Sequence, residues 1–168
     1  MKDDIEVLVQ WLATSPPYDY DLPEGMSDAD FLTAWTRIGD APAHYLSGLS
    51  PDQVDNFVQH ASDSLQFIVW WSTPDGGTPV NQDLKSTAIT ASPGILAEAS
   101  RITQGRCAGC FMFWEQISGV RRDVEGGHAI WHAIGDALRS QLSSADECVK
   151  QSAVHGMEHY AETDAEAW

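Results

Sequence analysis

Apolar residues recur at intervals of three and four along most of this chain, and hardly anywhere at intervals of two. That rhythm predicts helices rather than strands. Over residues 3–14, Ile5, Leu8, Val9 and Leu12 share one helical face, and Pro16-Pro17 ends the segment. Residues 15–26, SPPYDYDLPEGM, read as a Pro-rich acidic connector. Ser27 and Asp28 are N-cap residues for a helix carrying Phe31, Ala34, Trp35 and Ile38. Gly39-Asp40 interrupts it, and a short piece over residues 42–46 follows. Ser50-Pro51 pairs a cap with a proline at the first helical position. Behind it, Val54, Phe57, Val58, Ala61, Leu65, Ile68 and Val69 form the longest apolar stripe, which predicts a central helix reaching Trp71.

Residues 73–91 lack a period. TPDGG at 73–77 is turn chemistry, and Val80 with residues 87–90 suggests a short hairpin. Ser92-Pro93 repeats the cap-plus-proline signal, predicting a helix that carries Ile95, Leu96, Ala99 and Ile102 and ends at Gly105. Three more helices are predicted. The first covers 108–123, with Phe111, Trp114, Ile117 and Val120 on its stripe. The others cover 128–142 and 145–161, joined at Ser143-Ser144. Residues 162–168 read as a frayed tail. Six to eight helices without clear strands predict an all-α bundle, with residues 1–168 forming one domain.

Composition agrees with a packed domain. The chain has 168 residues and is 43% hydrophobic, with seven tryptophans. At that length a fold buries roughly two-thirds of its unfolded surface and needs no cross-link or metal to hold together. Charge changes the picture more. Nine Lys and Arg face 25 Asp and Glu, for a net charge of −16, and every third of the chain is net negative. Such a surface repels phosphates and anionic membranes and attracts basic partners. Direct nucleic-acid binding and membrane association are not expected. There is no Gly-rich phosphate loop, no G-x-S-x-G and no basic patch, Arg121-Arg122 being flanked by Asp123 and Glu125.

The first residues carry acids where a secretion signal would be basic and then apolar. Three cysteines, an odd number, do not suggest a disulfide framework. The expectation is a cytoplasmic protein with reduced thiols and no cofactor.

Four of the six histidines form two i,i+4 pairs, His128 with His132 and His155 with His159. Residues so spaced share a helical face, and each pair can pinch one ion. A hairpin turning at 143/144 would set His128 level with His159 and His132 level with His155, an alternative four-imidazole metal site. Helical phase argues against it, because all four lie beside the apolar stripes. Solvated histidines are expected, so that replacing His155 and His159 by Ala should change stability by no more than ~0.5 kcal/mol. His155, Glu158 and His159 resemble the H-x-x-E-H signature of the inverted zinc proteases. That family takes its third ligand from a glutamate far downstream. The downstream glutamates here, Glu162 and Glu166, belong to the same segment, and protease chemistry is not expected.

Cys107-Ala108-Gly109-Cys110 stands at a predicted helix start, where the dipole favours a thiolate and Arg106 adds positive charge. With Glu98 and Arg101 upstream, the stretch resembles the peroxidase-associated AhpD family. That resemblance implies an all-helical thiol-redox site at Cys107 and Cys110, served by Glu98. The family's histidine, four residues beyond the second cysteine, is Trp114 here, so its proton relay is missing. A zinc site combining Cys107 and Cys110 with two histidines is a formal alternative. Cys148 lies on an apolar stripe and reads as core.

Trp70 and Trp71 point about 100° apart on a helix, so only one can fully face the core. The other, with Tyr18, Asp19, Tyr20, Asp21 and Glu24 of the acidic connector, could form a surface for a basic protein. The resulting expectation is a small acidic binding or inhibitor protein, similar in kind to immunity proteins or nucleic-acid mimics. It would sequester a basic or nucleic-acid-binding protein. The alternative is a helical thiol-redox or His-metal enzyme.

Overall fold

In the computed structural model, residues 4–16, 22–71, 80–118 and 127–163 are described, without the side chains of residues 71 and 161–163. Among these residues there are eight α-helices and no strand. Helix α1 (Asp4–Thr14) buries the stripe read from sequence, Ile5, Leu8, Val9 and Leu12. Helix α2 (Asp28–Asp40) starts at a capping box. The Ser27 hydroxyl accepts the Asp30 N–H at 3.2 Å, and the Asp30 carboxylate accepts the Ser27 N–H at 3.0 Å. The Ser27 hydroxyl also donates to the Asp30 carboxylate at 2.6 Å, and this bond, with the one from the Ser27 N–H, holds the Asp30 carboxyl below the ordinary aspartate range. After α3 (Pro42–Leu46), Ser50 and Gln53 form a second capping box that opens α4 (Pro51–Gln66), which runs into a π-helical turn (Phe67–Trp71). All seven stripe residues from Val54 to Val69 are buried.

Helix α5 (Gln82–Thr103) corrects the sequence reading. It starts ten residues before Ser92-Pro93, at Gln82, behind the cap Asn81, whose side chain accepts the Asp83 N–H at 2.8 Å. Pro93 lies inside it. There is no hairpin at 87–90. Thr87 and Thr90 donate to the carbonyls of Asp83 and Ser86 one turn back, which lets β-branched polar residues sit in a helix. Ser92 is no cap. It is buried, donates to the Ala88 carbonyl and accepts the Trp35 indole N–H at 3.1 Å.

Helices α6 (Ala108–Ser118), α7 (Gly127–Leu142) and α8 (Glu147–Thr163) complete the bundle. Asp146, past the Ser143-Ser144 junction, caps α8, its carboxylate accepting the N–H groups of Cys148 and Val149. The predicted continuation of α6 over 119–123 and the tail 164–168 lie outside the described residues.

Tryptophans organise the core. Trp35 of α2 stacks with Phe57 of α4 at 5.7 Å and with Phe113 of α6 at 6.2 Å. Trp114 gives its N–H to Gln141 Oε1 at 2.5 Å, and Trp70 to the Ile117 carbonyl at 3.0 Å. A buried indole needs such a partner. Helix α4 packs on α1, α5 and α6, while α8 lies mainly along α6 and secondarily along α7. Among the described residues, no helix is long and apolar enough to cross a membrane.

Candidate functional site

Helices α6 and α8 approach each other closely, and a glycine permits it. A Cβ at Gly156 would collide with Trp114 and sit 2.8 Å from Leu138 Cδ2. One turn earlier, the Ser152 hydroxyl donates to the Cys110 carbonyl. Position 110 therefore faces 152, and 114 faces 156, so the two helices run parallel. One residue beyond 110 and 114 on α6, and three beyond 152 and 156 on α8, the same register brings Phe111 and Glu115 against His155 and His159.

The contacts follow that register. Phe111 stacks on the His155 ring, centroids 4.6 Å apart and planes 12° from parallel. Glu115 Oε2 lies 2.9 Å from His155 Nε2, and Glu115 Oε1 lies 3.7 Å from His159 Nε2. One carboxylate thus faces both imidazoles. The two rings stand perpendicular, with centroids 5.0 Å apart. Glu158 Oε2 lies 3.8 Å from His155 Nδ1, on the opposite side of that ring. All three residues of the cluster are half-buried.

His155 also walls an open groove of about 310 Å³, lined by Phe111, Glu147, Lys150, Gln151, Val154 and Glu158 as well. Phe111 is 40% and Val154 49% exposed, and Met112 beside them is also exposed. The sequence reading puts Phe111 on the core stripe of its helix. The core stripe is instead Cys110, Phe113, Trp114 and Ile117. Phe111 falls one position outside it and turns to α8.

The sequence-predicted residues fare differently from one another. His155 and His159 come together, with Glu115 as the partner that sequence did not suggest. Its signal was the i,i+4 pair Phe111/Glu115, matching the i,i+4 spacing of the histidines. His128 and His132 are exposed on α7 and stack on each other at 5.9 Å. Among the described residues they do not join His155 and His159, so the four-imidazole site does not form. The hairpin argument failed because α8 turns its histidines toward α6 instead of α7.

Cys107 and Cys110 are bonded as a disulfide, their Cα atoms 5.2 Å apart, where reduced thiols were expected. A helix start brings cysteines three apart within disulfide reach. Both are buried, and the bonded pair is unavailable for the mixed Cys/His zinc site. Gly109 N–H donates to Asp55 Oδ1 at 2.8 Å, so an aspartate already occupies the positive end of α6 that would favour a thiolate. Glu98, the acid implied by the AhpD resemblance, is committed elsewhere. It accepts two bonds from Arg101, at 2.8 and 2.5 Å, which hold its carboxyl below the usual range. Cys148 is a free, half-buried thiol rather than a core residue.

Of the expected partner surface, Tyr18, Asp19, Tyr20 and Asp21 lie outside the described residues, as does the Trp71 side chain. Glu24 is exposed in a turn and lines a small cavity with Asp4, Val7, Met26 and Asp30. Trp70 is the tryptophan that faces the core, 7% exposed, and has no ring to offer a partner. No protein-family model matches the chain, and neither the curated proteins nor the solved structures contain a significant match to it.

Proposed function

We propose that this is a small acidic binding protein that sequesters a basic or nucleic-acid-binding protein, in the manner of immunity proteins or nucleic-acid mimics. The observation that carries the reading is the meeting of exposed apolar side chains with carboxylates on a chain of net charge −16. Along the α6–α8 groove, Phe111 and Val154 offer apolar contact, and Glu147 and Glu158 flank them. An arginine or lysine from a partner would lay its apolar stem on Phe111 and Val154 and present its charge to the glutamates. Lys150, 3.4 Å from Glu147, is the local cation it would displace. The acidic connector around Tyr18, Asp19, Tyr20, Asp21 and Glu24 is a second place where such a partner could rest.

The cytoplasm is the setting this reading carries. Cys148 is a free thiol, as that setting favours, whereas a persistent Cys107–Cys110 disulfide is commoner in oxidising compartments.

The test uses a surface-displayed library of Arg- and Lys-rich peptides alternating with aromatic residues. Selected peptides are then titrated against the full chain and against Phe111→Asp and Val154→Asp. We expect micromolar binders that lose at least about tenfold in affinity with either variant, the effect of losing one buried apolar anchor. Selected binders indifferent to both substitutions would move the surface away from the groove. A library that yields no binder would defeat the proposal.

A further inference from the structure

We propose that Glu115, His155 and His159 form a binding site for a divalent transition-metal ion of the zinc class. The three donor atoms lie within 4.8 Å of one another. Around a tetrahedral ion with ligands about 2.0–2.2 Å away, neighbouring donors are about 3.3–3.6 Å apart. The separations here, 2.9 Å from His155 Nε2 to Glu115 Oε2 and 3.7 Å from His159 Nε2 to Glu115 Oε1, run to the two oxygens of one carboxylate and bracket that spacing. Small side-chain rotations would admit the ion without any movement of a helix.

The donor set selects the class of ion. Two imidazoles and one carboxylate suit zinc, cobalt, nickel or iron(II), whereas calcium and magnesium take oxygen ligands. Three protein ligands leave at least one coordination position open, as at catalytic rather than structural zinc sites.

The surroundings are independent evidence for a built site. Metal-binding histidines characteristically offer their second nitrogen to a carboxylate that fixes the ring. His155 Nδ1 has Glu158 Oε2 at 3.8 Å, on the side away from Glu115. Phe111 fixes the same ring from its face. Phe111 therefore constrains the plane of His155, while Glu158 lies near its second nitrogen, beyond hydrogen-bond distance. The ligands come from two helices whose separation is fixed by the Trp114–Gly156 contact, so they do not depend on a loop. The groove beside His155 gives the open position access to water or to a small ligand. The site shares His155, Phe111 and Glu158 with the groove proposed for a partner, but metal binding can be read without any partner present.

The experiment is titration of the purified, chelator-treated full chain with Zn²⁺ alone, by calorimetry. Cobalt(II) absorption spectra would report the coordination number. We expect one high-affinity ion per chain. His155→Ala and His159→Ala should each lower the affinity by at least about 100-fold, because even losing a residue that only orients a metal ligand costs 10–100-fold. Glu115→Gln should lower it by at least about tenfold. His128→Ala/His132→Ala should leave it unchanged, which matters because that exposed pair could chelate metal by itself. Should a variant unfold, the wild-type chain still decides the matter. One equivalent of Zn²⁺ should shift the imidazole nitrogen resonances of His155 and His159 and spare those of His128 and His132. The absence of stoichiometric binding would overturn the site. So would binding lost with His128 and His132 instead.

Discussion

Glu115 Oε2 and His155 Nε2 lie 2.9 Å apart across 40 residues of chain. This contact makes His155 a tertiary residue rather than a solvated helical one. Without metal, we expect His155→Ala to cost about 1 kcal/mol, from the lost bond to Glu115 and the lost stack on Phe111. His159, 3.7 Å from the same carboxylate, should cost no more than ~0.5 kcal/mol. Urea unfolding in the presence of chelator measures both. A His155→Ala chain as stable as wild type would mean that its two contacts contribute nothing.

For a basic partner, association should slow steeply with added salt, because the Debye length falls from ~10 Å at 0.1 M to ~3 Å at 1 M. Dissociation should change far less. Two sets of neutralising changes separate the candidate surfaces. If the groove receives the partner, Glu147→Gln/Glu158→Gln should flatten the salt slope more than Asp19→Asn/Asp21→Asn/Glu24→Gln does. Stopped-flow rates at several salt concentrations decide, and a salt-independent rate would end the electrostatic reading.

Gly156→Ala should destabilise the fold by roughly 1–3 kcal/mol, the range for overpacked cores. In an open helix the same change would stabilise by about 0.8–1 kcal/mol, because alanine is the better helix former. The sign therefore reports whether α6 and α8 touch as closely as they do here. A thermal melt that rises on substitution would contradict the contact with Trp114.

Lys85 is buried and donates to the Val69 carbonyl at 3.0 Å, in the π-helical turn. Burial lowers its pKa, and the nearby charge of Asp28 offsets part of that. The unfolded chain therefore holds this proton at pH values where the folded chain has released it. Stability should rise with pH across the window that ends at the ordinary lysine value of about 10.4. Comparing urea midpoints of wild type and Lys85→Met through that window isolates the effect. Equal slopes would show that the ammonium is not desolvated in the fold.

Much of the fold was legible because its signals are local. Ser27 and Ser50 announce their helices by cap chemistry, and the stripe from Val54 to Val69 needs only the period of a helix. The start of α5 was hidden because Ser92-Pro93 imitates a boundary. What overrides that signal lies outside the segment, in the Trp35 indole bound to Ser92. The site was half legible. The spacing of His155 and His159 put them on one face, but which neighbour that face meets is a tertiary fact. Residues 128–142 and 145–161 are adjacent in sequence, which favoured a hairpin pairing. A glycine at 156 and a tryptophan at 114 decided for α6 instead. Glu115 could not be singled out among 25 acids until that register was known.

The parallel contact of Trp114 with Gly156 has a consequence for what this surface could become. The interval between the outer positions, 111 and 115 on one helix and 155 and 159 on the other, is inherited from packing beneath them and owes nothing to their own chemistry. Those four positions can be rewritten one at a time, to cysteine, aspartate or a larger aromatic, while the distance across the seam stays constant. A pair of helices held this way is a fixed frame with an interchangeable facing. Selection or design could retune its ligand without first solving the fold again.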